Sequence, residues 1–351
     1  MNTKKISYKG EKVFIGMDVH REFFMLSAVC KGVTVKRCRI SPNGEAVLNF
    51  IVKYFPESDI RTCYEAGYSG FWLHRYLVGN GINNIVVNPA SVEAESGNRV
   101  KTDKIDSLKL AIQLEANRLR SIHIPSEEQE NGRLLTRTRD QLMSARTRVR
   151  TQIRMKLHLF GLFPVEHKGA INQKLVEKIL SENVINNELK VSIQIQLEQW
   201  NSLNESLKAI YKQLKEQASK DPYDKLYRSV PGIGFLVARV LSNELGDMSQ
   251  FPNERALFSF TGLTPGEYSS GNKTRRGHIS RRGRSQLRHV LTEAAWKAIR
   301  RDPNMQRAYE SIATRRGKLR AIVAMARKLV GRARAILKTQ NNYVLDYKKA
   351  A

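Results

Sequence analysis

Four acidic side chains, Asp18, Glu65, Asp103 and Asp106, stand in the first third of a 351-residue chain at positions suited to metal-assisted chemistry on phosphate. Asp18 follows an apolar, strand-like run over residues 13–17, and Glu65 follows another through Thr62, Cys63 and Tyr64. Asp103 and Asp106 are three apart on an expected helix and so share a face. Carboxylates about 4 Å apart repel by roughly 4 kcal/mol per pair at an effective dielectric near 20, so such a cluster stays ionised only around cations. Hard oxygen ligands favour Mg²⁺ or Mn²⁺, and two ions about 4 Å apart can activate a nucleophile and stabilise the leaving oxygen when a phosphodiester is cut. The ordinary alternative is a pair of surface acids, Asp103 and Asp106, balanced by Lys101 and Lys104.

Bringing the acids together falls to the elements that carry them. Alternation predicts strands over residues 13–17, 23–30 and 33–40, with Lys31 and Gly32 turning between the last two. A helical pattern follows through Ala46, Val47, Phe50, Ile51 and Tyr54. After it come the strand ending at Glu65, a helix over about 71–78, a strand over 84–88 and the helix with the paired aspartates. In a β-β-β-α-β-α-β-α order the first and fourth strands are neighbours, so Asp18 and Glu65 converge.

Beyond residue 125 the pattern turns helical. Pro125, Ser126, Glu127, Glu128 and Gln129 form a capping signature for a long helix whose apolar positions are Leu135, Leu142, Ala145, Val149, Ile153, Leu157 and Phe160. A second long helix carries Trp200, Leu203, Leu207, Ile210 and Leu214 in steps of three and four, the spacing of a coiled-coil seam. Two antiparallel helices of one chain, or a zipper between two chains, both fit. After Asp221 and Pro222 the run Val230, Pro231, Gly232, Ile233, Gly234 before an apolar stretch matches a helix-hairpin-helix loop, in which glycines let backbone amides approach a phosphate.

Net charge is +27, and it is unevenly placed. Residues 1–120 hold 18 Lys and Arg against 12 Asp and Glu, whereas residues 271–340 hold 20 against 3. Such a density repels itself unless phosphates neutralise it. The last helical segment could bury Leu319, Ile322, Val323, Met325, Leu329 and Ile336 while Arg320, Arg327, Lys328, Arg332 and Arg334 track a nucleic-acid backbone. No run of eighteen apolar residues, export signal or basic helix with opposed Trp or Phe points to a membrane. Cys30, Cys38 and Cys63 lack C-x-x-C spacing and read as buried reduced thiols of a cytosolic protein.

Tyr268, Ser269, Ser270, Gly271 and Asn272 form a polar loop, and Lys273, Arg275, Arg276, Arg281 and Arg282 follow it. A hydroxyl attacking phosphorus needs such positive groups to stabilise the added charge. Tyr268 is a rival nucleophile, with Arg275, His278 and Arg288 as its electrophilic cluster. The residues alone leave Tyr268, Ser269 and Ser270 open.

The runs FIGMDVH, CYEAGYSGF, VVNPASV, KTDKIDSLKLA, VPGIGFLVARVL, FTGLTPGEYSSG and HISRRGRSQLRHVL, in this order over residues 13–340, resemble the DEDD-type transposases of bacterial insertion sequences. Members of that family are recombinases guided by a bridge RNA. The resemblance implies an α/β plus all-α fold. An RNase H or RuvC-like domain is expected at 10–125, a coiled-coil linker and dimerisation segment at 126–220, and a mostly helical, basic transposase domain at 225–345. The family's acids fall on Asp18, Glu65, Asp103 and Asp106, with Mg²⁺ or Mn²⁺ as cofactor, and its serine nucleophile, which directly precedes a glycine, falls on Ser270. The expected partners are donor and target DNA, a structured guide RNA and further copies of the chain in a homodimer or homotetramer, in the bacterial cytoplasm at the nucleoid. Lys273, Arg275, Arg276, Arg281, Arg282 and Arg288 are the expected nucleic-acid contacts. A metal-dependent junction-resolving nuclease that hydrolyses with water, or a noncatalytic nucleic-acid binder, are the competing expectations.

Overall fold

The computed structural model describes residues 7–93, 103–164, 166–167, 169–182, 184–270, 273–280 and 283–345, without the side chains of 103–104, 267–270 and 273–276. The chain divides into two compact units, Met1–Ile124 and Pro125–Ala351.

Unit 1 is a three-layer α/β domain. Its elements are β1 (Lys12–Val19), β2 (Phe24–Cys30), β3 (Val33–Ile40), α1 (Gly44–Tyr54), β4 (Asp59–Glu65), α2 (Trp72–Gly79), β5 (Asn83–Val87) and α3 (Asp103–Glu115). The sheet order is β3-β2-β1-β4-β5. The first three strands pair antiparallel, and β4 and β5 add in parallel to β1. Alternation sorts the faces: Val13, Ile15 and Met17 of β1 join Val47, Phe50 and Ile51 of α1 and Leu73 and Leu77 of α2 in the main core. The opposite face packs Cys63, Val87 and Leu119 against Leu110 of α3.

Gly16 decides how α3 lies on that second face. A Cβ there would sit 2.5 Å from the Ala111 nitrogen, 2.8 Å from the Leu110 Cβ, and against the Ser107 carbonyl oxygen. Only hydrogen at this position lets the helix backbone settle onto the strand. Beside it, Ser107 Oγ and Ser27 Oγ share a buried 2.8 Å hydrogen bond. The free thiols of Cys30 and Cys63 are buried, and Cys38 is half-buried.

Unit 2 opens with α4 (Glu127–Leu159), α5 (Gln173–Glu182) and α6 (Asn187–Lys220). Ser126 caps α4 by accepting from the Gln129 amide at 3.1 Å. Arg139 meets Tyr211, Arg146 meets Asn204, Gln152 meets Gln196 and Lys156 meets Ser192, so α4 and α6 run antiparallel within one chain. Val149, Ile153 and Leu157 pack with α5 and with Leu189, Ile193, Leu197 and Trp200. Phe160, expected on this apolar face, is instead 48% exposed, because the helix has already ended at Leu159.

The remaining elements are α7 (Asp224–Ser229), α8 (Phe235–Leu245), α9 (Glu254–Thr261), β6 (Pro265–Ser270), β7 (Lys273–Ile279), α10 (Ser285–Ile299), α11 (Pro303–Arg316) and α12 (Lys318–Thr339). Gly232, in the loop between α7 and α8, has φ +89°, and a Cβ would stand 2.8 Å from the Ala298 nitrogen of α10. The expected apolar side of α12 buries Ile322, Met325, Leu329 and Ile336, but Leu319, in its first turn, is 82% exposed. Two of its expected phosphate contacts are committed internally: Arg332 pairs with Asp302, and Arg334 donates to the Phe251 carbonyl at 2.9 Å.

No helix among the described residues is long and apolar enough to cross a membrane.

Two stability measurements test this packing. Gly16→Ala forces α3 off β1 and should destabilise unit 1 by about 1–3 kcal/mol, the usual cost of overpacking, in urea unfolding. An unchanged midpoint would show that α3 does not rest on Gly16. The second concerns Asp302, which caps α11 and is 1% exposed. Burial pushes its carboxyl up, but the Tyr343 hydroxyl, the Arg332 guanidinium and the Met305 amide outweigh it and hold the group below its usual range. A depressed folded value contributes stability above the unfolded pKa of about 3.9, and that stability is lost as pH falls through the folded value. Asp302→Asn should therefore cost about 2–3 kcal/mol at neutral pH and flatten the loss below about pH 4, as read from melting against pH.

Candidate active site

The acidic positions are built by strand ends and one helix. Asp18 lies two residues beyond Gly16 on β1, and alternation puts it on the face that α3 covers. Glu65 lies two beyond Cys63 on β4, again on the α3 face, at the end where β1 and β4 run parallel with Met17 opposite Tyr64. Asp106 directly precedes Ser107, whose carbonyl faces Gly16. Asp103 opens the same helix one turn earlier, with its side chain outside the described residues. Asp18 and Glu65 thus share one face and one end of the sheet, and Asp106 lies on the helix packed over that face.

Their surroundings are polar. Asp18, with 23% of its side chain exposed, bonds His20 Nε2 through Oδ2 at 2.9 Å. The His20 ring leans on Phe23 with centroids 5.0 Å apart, and the Arg39 guanidinium lies 3.8 Å above the other ring. Glu65 is exposed, Asp106 half-buried, and both have interaction partners of their own. Below Glu65, burial first and then the nearby carboxylate push the Cys63 thiol far up, leaving it neutral and inert.

Among the described residues, no group of three or more His, Cys, Asp or Glu side chains could hold a metal ion. The donor chemistry of the four acids, all carboxylate oxygen, fits Mg²⁺ or Mn²⁺ and not a soft metal. Reading the sequence for acids alone passes over His20, although the signal was present: it stands two residues after Asp18, just past the end of β1, where the strand's alternation keeps it on that residue's side.

In unit 2 the expected loop at Tyr268 to Asn272 is partly strand. Ser269 and Ser270 belong to β6 and pair antiparallel with Thr274 and Lys273 of β7. Polar residues on both faces hide such a strand from an apolar-alternation search. The side chains of Ser270, Lys273, Arg275 and Arg276, and all of Arg281 and Arg282, lie outside the described residues. Arg288, on α10, donates to the Gly283 carbonyl at 3.1 Å and so braces the segment that follows Arg282.

Three further cations meet at Glu244, whose side chain is 3% exposed: Arg137 at 2.8 Å, Arg284 at 3.6 Å and Arg133 at 3.8 Å. Burial lowers the affinity of Arg284 for its proton, and Glu244 partly restores it. One carboxylate among three guanidiniums leaves net positive charge at the start of α10.

Comparison with known proteins gives this arrangement a family. A model of the DEDD domain of IS110-type elements, described as a transposase, matches residues 15–164, and the model described as "Transposase IS116/IS110/IS902 family" matches residues 224–310. The transposase for insertion sequence element IS1533 of Leptospira borgpetersenii is 30% identical over 305 residues, 82% of this chain and 85% of the relative. The transposase for insertion sequence element IS1111A of Coxiella burnetii is 28% identical over 282 residues, 79% of this chain and 77% of that protein. With both halves matched in order and 85% of the IS1533 relative covered, the chain belongs to the IS116/IS110/IS902 family of insertion-sequence transposases.

Proposed function

We propose that this transposase cuts and rejoins DNA through a serine nucleophile served by an RNase H-like carboxylate site. The observation that supports the reading is the packing of α3 onto Gly16, on the sheet face that Asp18 and Glu65 share, with Asp106 one residue from the contact. The strand order β3-β2-β1-β4-β5, with β1 and β4 parallel, supports the RuvC-like assignment.

Asp18, Glu65, Asp103 and Asp106 would hold Mg²⁺ or Mn²⁺, which when bound makes an attacking oxygen more acidic and stabilises a leaving one. His20 orients Asp18 through their hydrogen bond. Ser270, of the same or a partner subunit, supplies the hydroxyl. Its oxygen bonds to phosphorus as the deoxyribose oxygen departs, and the serine proton ends on that departing oxygen. One ester replaces another, so the phosphodiester energy is kept for rejoining. The backbone pairing of Ser270 with Lys273, and the basic run to Arg282, support a cationic setting for the transferred phosphate.

Arg288 and Arg284 brace the base of the same segment. The basic side chains of α12 other than Arg332 and Arg334 extend the grip to donor and target DNA and to a structured guide RNA, which would supply the sequence specificity. Recombination between two duplexes calls for a homodimer or homotetramer.

Trapping with an end-labelled DNA substrate tests the nucleophile. Ser270→Ala should abolish the covalent protein–DNA adduct and leave DNA affinity unchanged; an adduct that persists excludes Ser270, and cleavage without any adduct in the wild type points to hydrolysis by water. Asp18→Asn or Asp106→Asn should lower Mg²⁺-dependent strand cleavage on the order of a hundredfold or more. Full activity in either variant, or in wild type stripped by a chelator, would reject the carboxylate site.

A further inference from the structure

Three arginines of α4 form a row along one side of its pairing with α6. Arg139, Arg146 and Arg150 are seven and four residues apart, which sets them on one stripe of the helix over about 16 Å. At the seam they bond neutral acceptors: Arg139 the Tyr211 hydroxyl at 3.2 Å, Arg146 the Asn204 side chain at 3.3 Å and Arg150 the Ile171 carbonyl at 2.8 Å. No carboxylate among the described residues pairs with any of the three, and the Nε of each is buried without an acceptor. All three side chains are half-buried, so their charge sits at the surface and is not neutralised there. An anion lying along the row would offset that cost.

The row runs into a hollow of about 950 Å³ between the end of α6, α7 and the start of α8. Tyr211, which takes the Arg139 bond and has that guanidinium 5.3 Å from its ring centroid, lines the hollow, so the two are continuous. Lys215, Lys220, Lys225 and Arg228 line it together with Asp221 and Asp224. The fully buried Arg239 binds both carboxylates, Asp221 at 2.7 Å and Asp224 at 2.8 Å. With Arg239 counted, five cations meet two acids. Other acids beside the path are engaged elsewhere or stand outside it: Glu205 pairs with Lys208 at 2.7 Å, Asp140 bears on Arg284 of α10, and Glu216 does not line the hollow.

Such charge selects a polyanion, and the carboxylates narrow the choice. Phosphate oxygens only accept, so a chain of phosphates and deoxyriboses offers Asp221 nothing but repulsion. Asp221 Oδ1 accepts only the Tyr223 amide, at 2.8 Å, and has capacity for one more donor. The ribose 2′-hydroxyl is such a donor, and it marks RNA off from DNA.

We propose that the arginine row and the hollow form one track for an RNA backbone, in which the cations take phosphates and Asp221 takes a ribose 2′-hydroxyl. This rests on the reading of a structured RNA as a partner of the chain. It places that partner on the helical arm of unit 2, away from the strand ends that bear the acids.

Fluorescence anisotropy with the full-length protein tests it, using a labelled stem-loop RNA and the DNA hairpin of the same sequence over a series of salt concentrations. Wild type should bind the RNA about tenfold more tightly than the DNA, the scale of one hydrogen bond to a charged group. Lys215→Gln with Lys225→Gln, both at exposed positions, should weaken RNA binding on the order of tenfold and flatten its salt slope by about two. The same variant should bring RNA affinity down to that for DNA and leave the melting temperature unchanged. Lys12→Gln with Lys53→Gln, an equal loss of charge in unit 1, should leave the preference for RNA intact. If this control abolishes the preference as well, total charge decides and the track is overturned. A Lys215 and Lys225 variant that still prefers RNA overturns the track alone, whereas a wild type that binds both probes equally overturns it together with the RNA reading.

Discussion

The close approach of one helix backbone to one strand backbone is the contact on which the acid-bearing end of unit 1 depends. Gly16 supplies it by having no side chain, and Ser107 and Ala111 use the space. Ser107, the neighbour of Asp106, is thereby seated against β1 on the face that Asp18 and Glu65 share. The polar pair of Ser27 and Ser107 fixes the helix along the strand, where apolar contacts alone would tolerate sliding. A wall of aliphatic side chains between helix and sheet, the more usual way to stack these layers, would hold α3 several ångströms further out.

Unit 2 solves a different problem, how to fold a strongly cationic chain. Among the described residues, the buried acids Asp224, Glu244 and Asp302 and the half-buried Asp221 are engaged by arginine: Asp221 and Asp224 by the fully buried Arg239, Glu244 by Arg133, Arg137 and Arg284, and Asp302 by Arg332. These few carboxylates are thereby spent on internal arginines and not on the outward-facing cations. Basic residues left over on α10 and α12 face solvent with little local opposition, which suits a partner carrying regular negative charge.

The order of strands in unit 1 is legible in the sequence because its strands alternate and its helices stop at Gly and Pro. The cap of α4 is legible because Ser126 stands just where the backbone amides need an acceptor. Three features are not. The β6–β7 pair lacks an apolar face, so periodicity has nothing to register. The seating of α3 turns on a glycine inside a strand, which reads equally as a weak strand residue. Arg332 and Arg334 look like surface cations from their spacing on α12, and only the folded chain shows Asp302 and the Phe251 carbonyl within reach. The acids themselves are legible by type and position, whereas His20 is visible only once Asp18 is known to need an orienting partner.

Where α4 meets α8 the joint is made of hydrogen bonds and not of oil. Asn243 donates to the Gly132 carbonyl at 2.9 Å, Arg133 to the Asn243 carbonyl at 3.0 Å, and Gln286 of α10 to the Thr136 carbonyl at 3.2 Å. From Thr136 to the far end of α4 the helix extends about 35 Å at 1.5 Å per residue. Mechanically it is a lever, and a few degrees of play at its root sweep the tip through several ångströms. Directional bonds at the fulcrum convert a slack pivot into a bracket, so the aim of the whole arm is set by a handful of amide and guanidinium groups at its base.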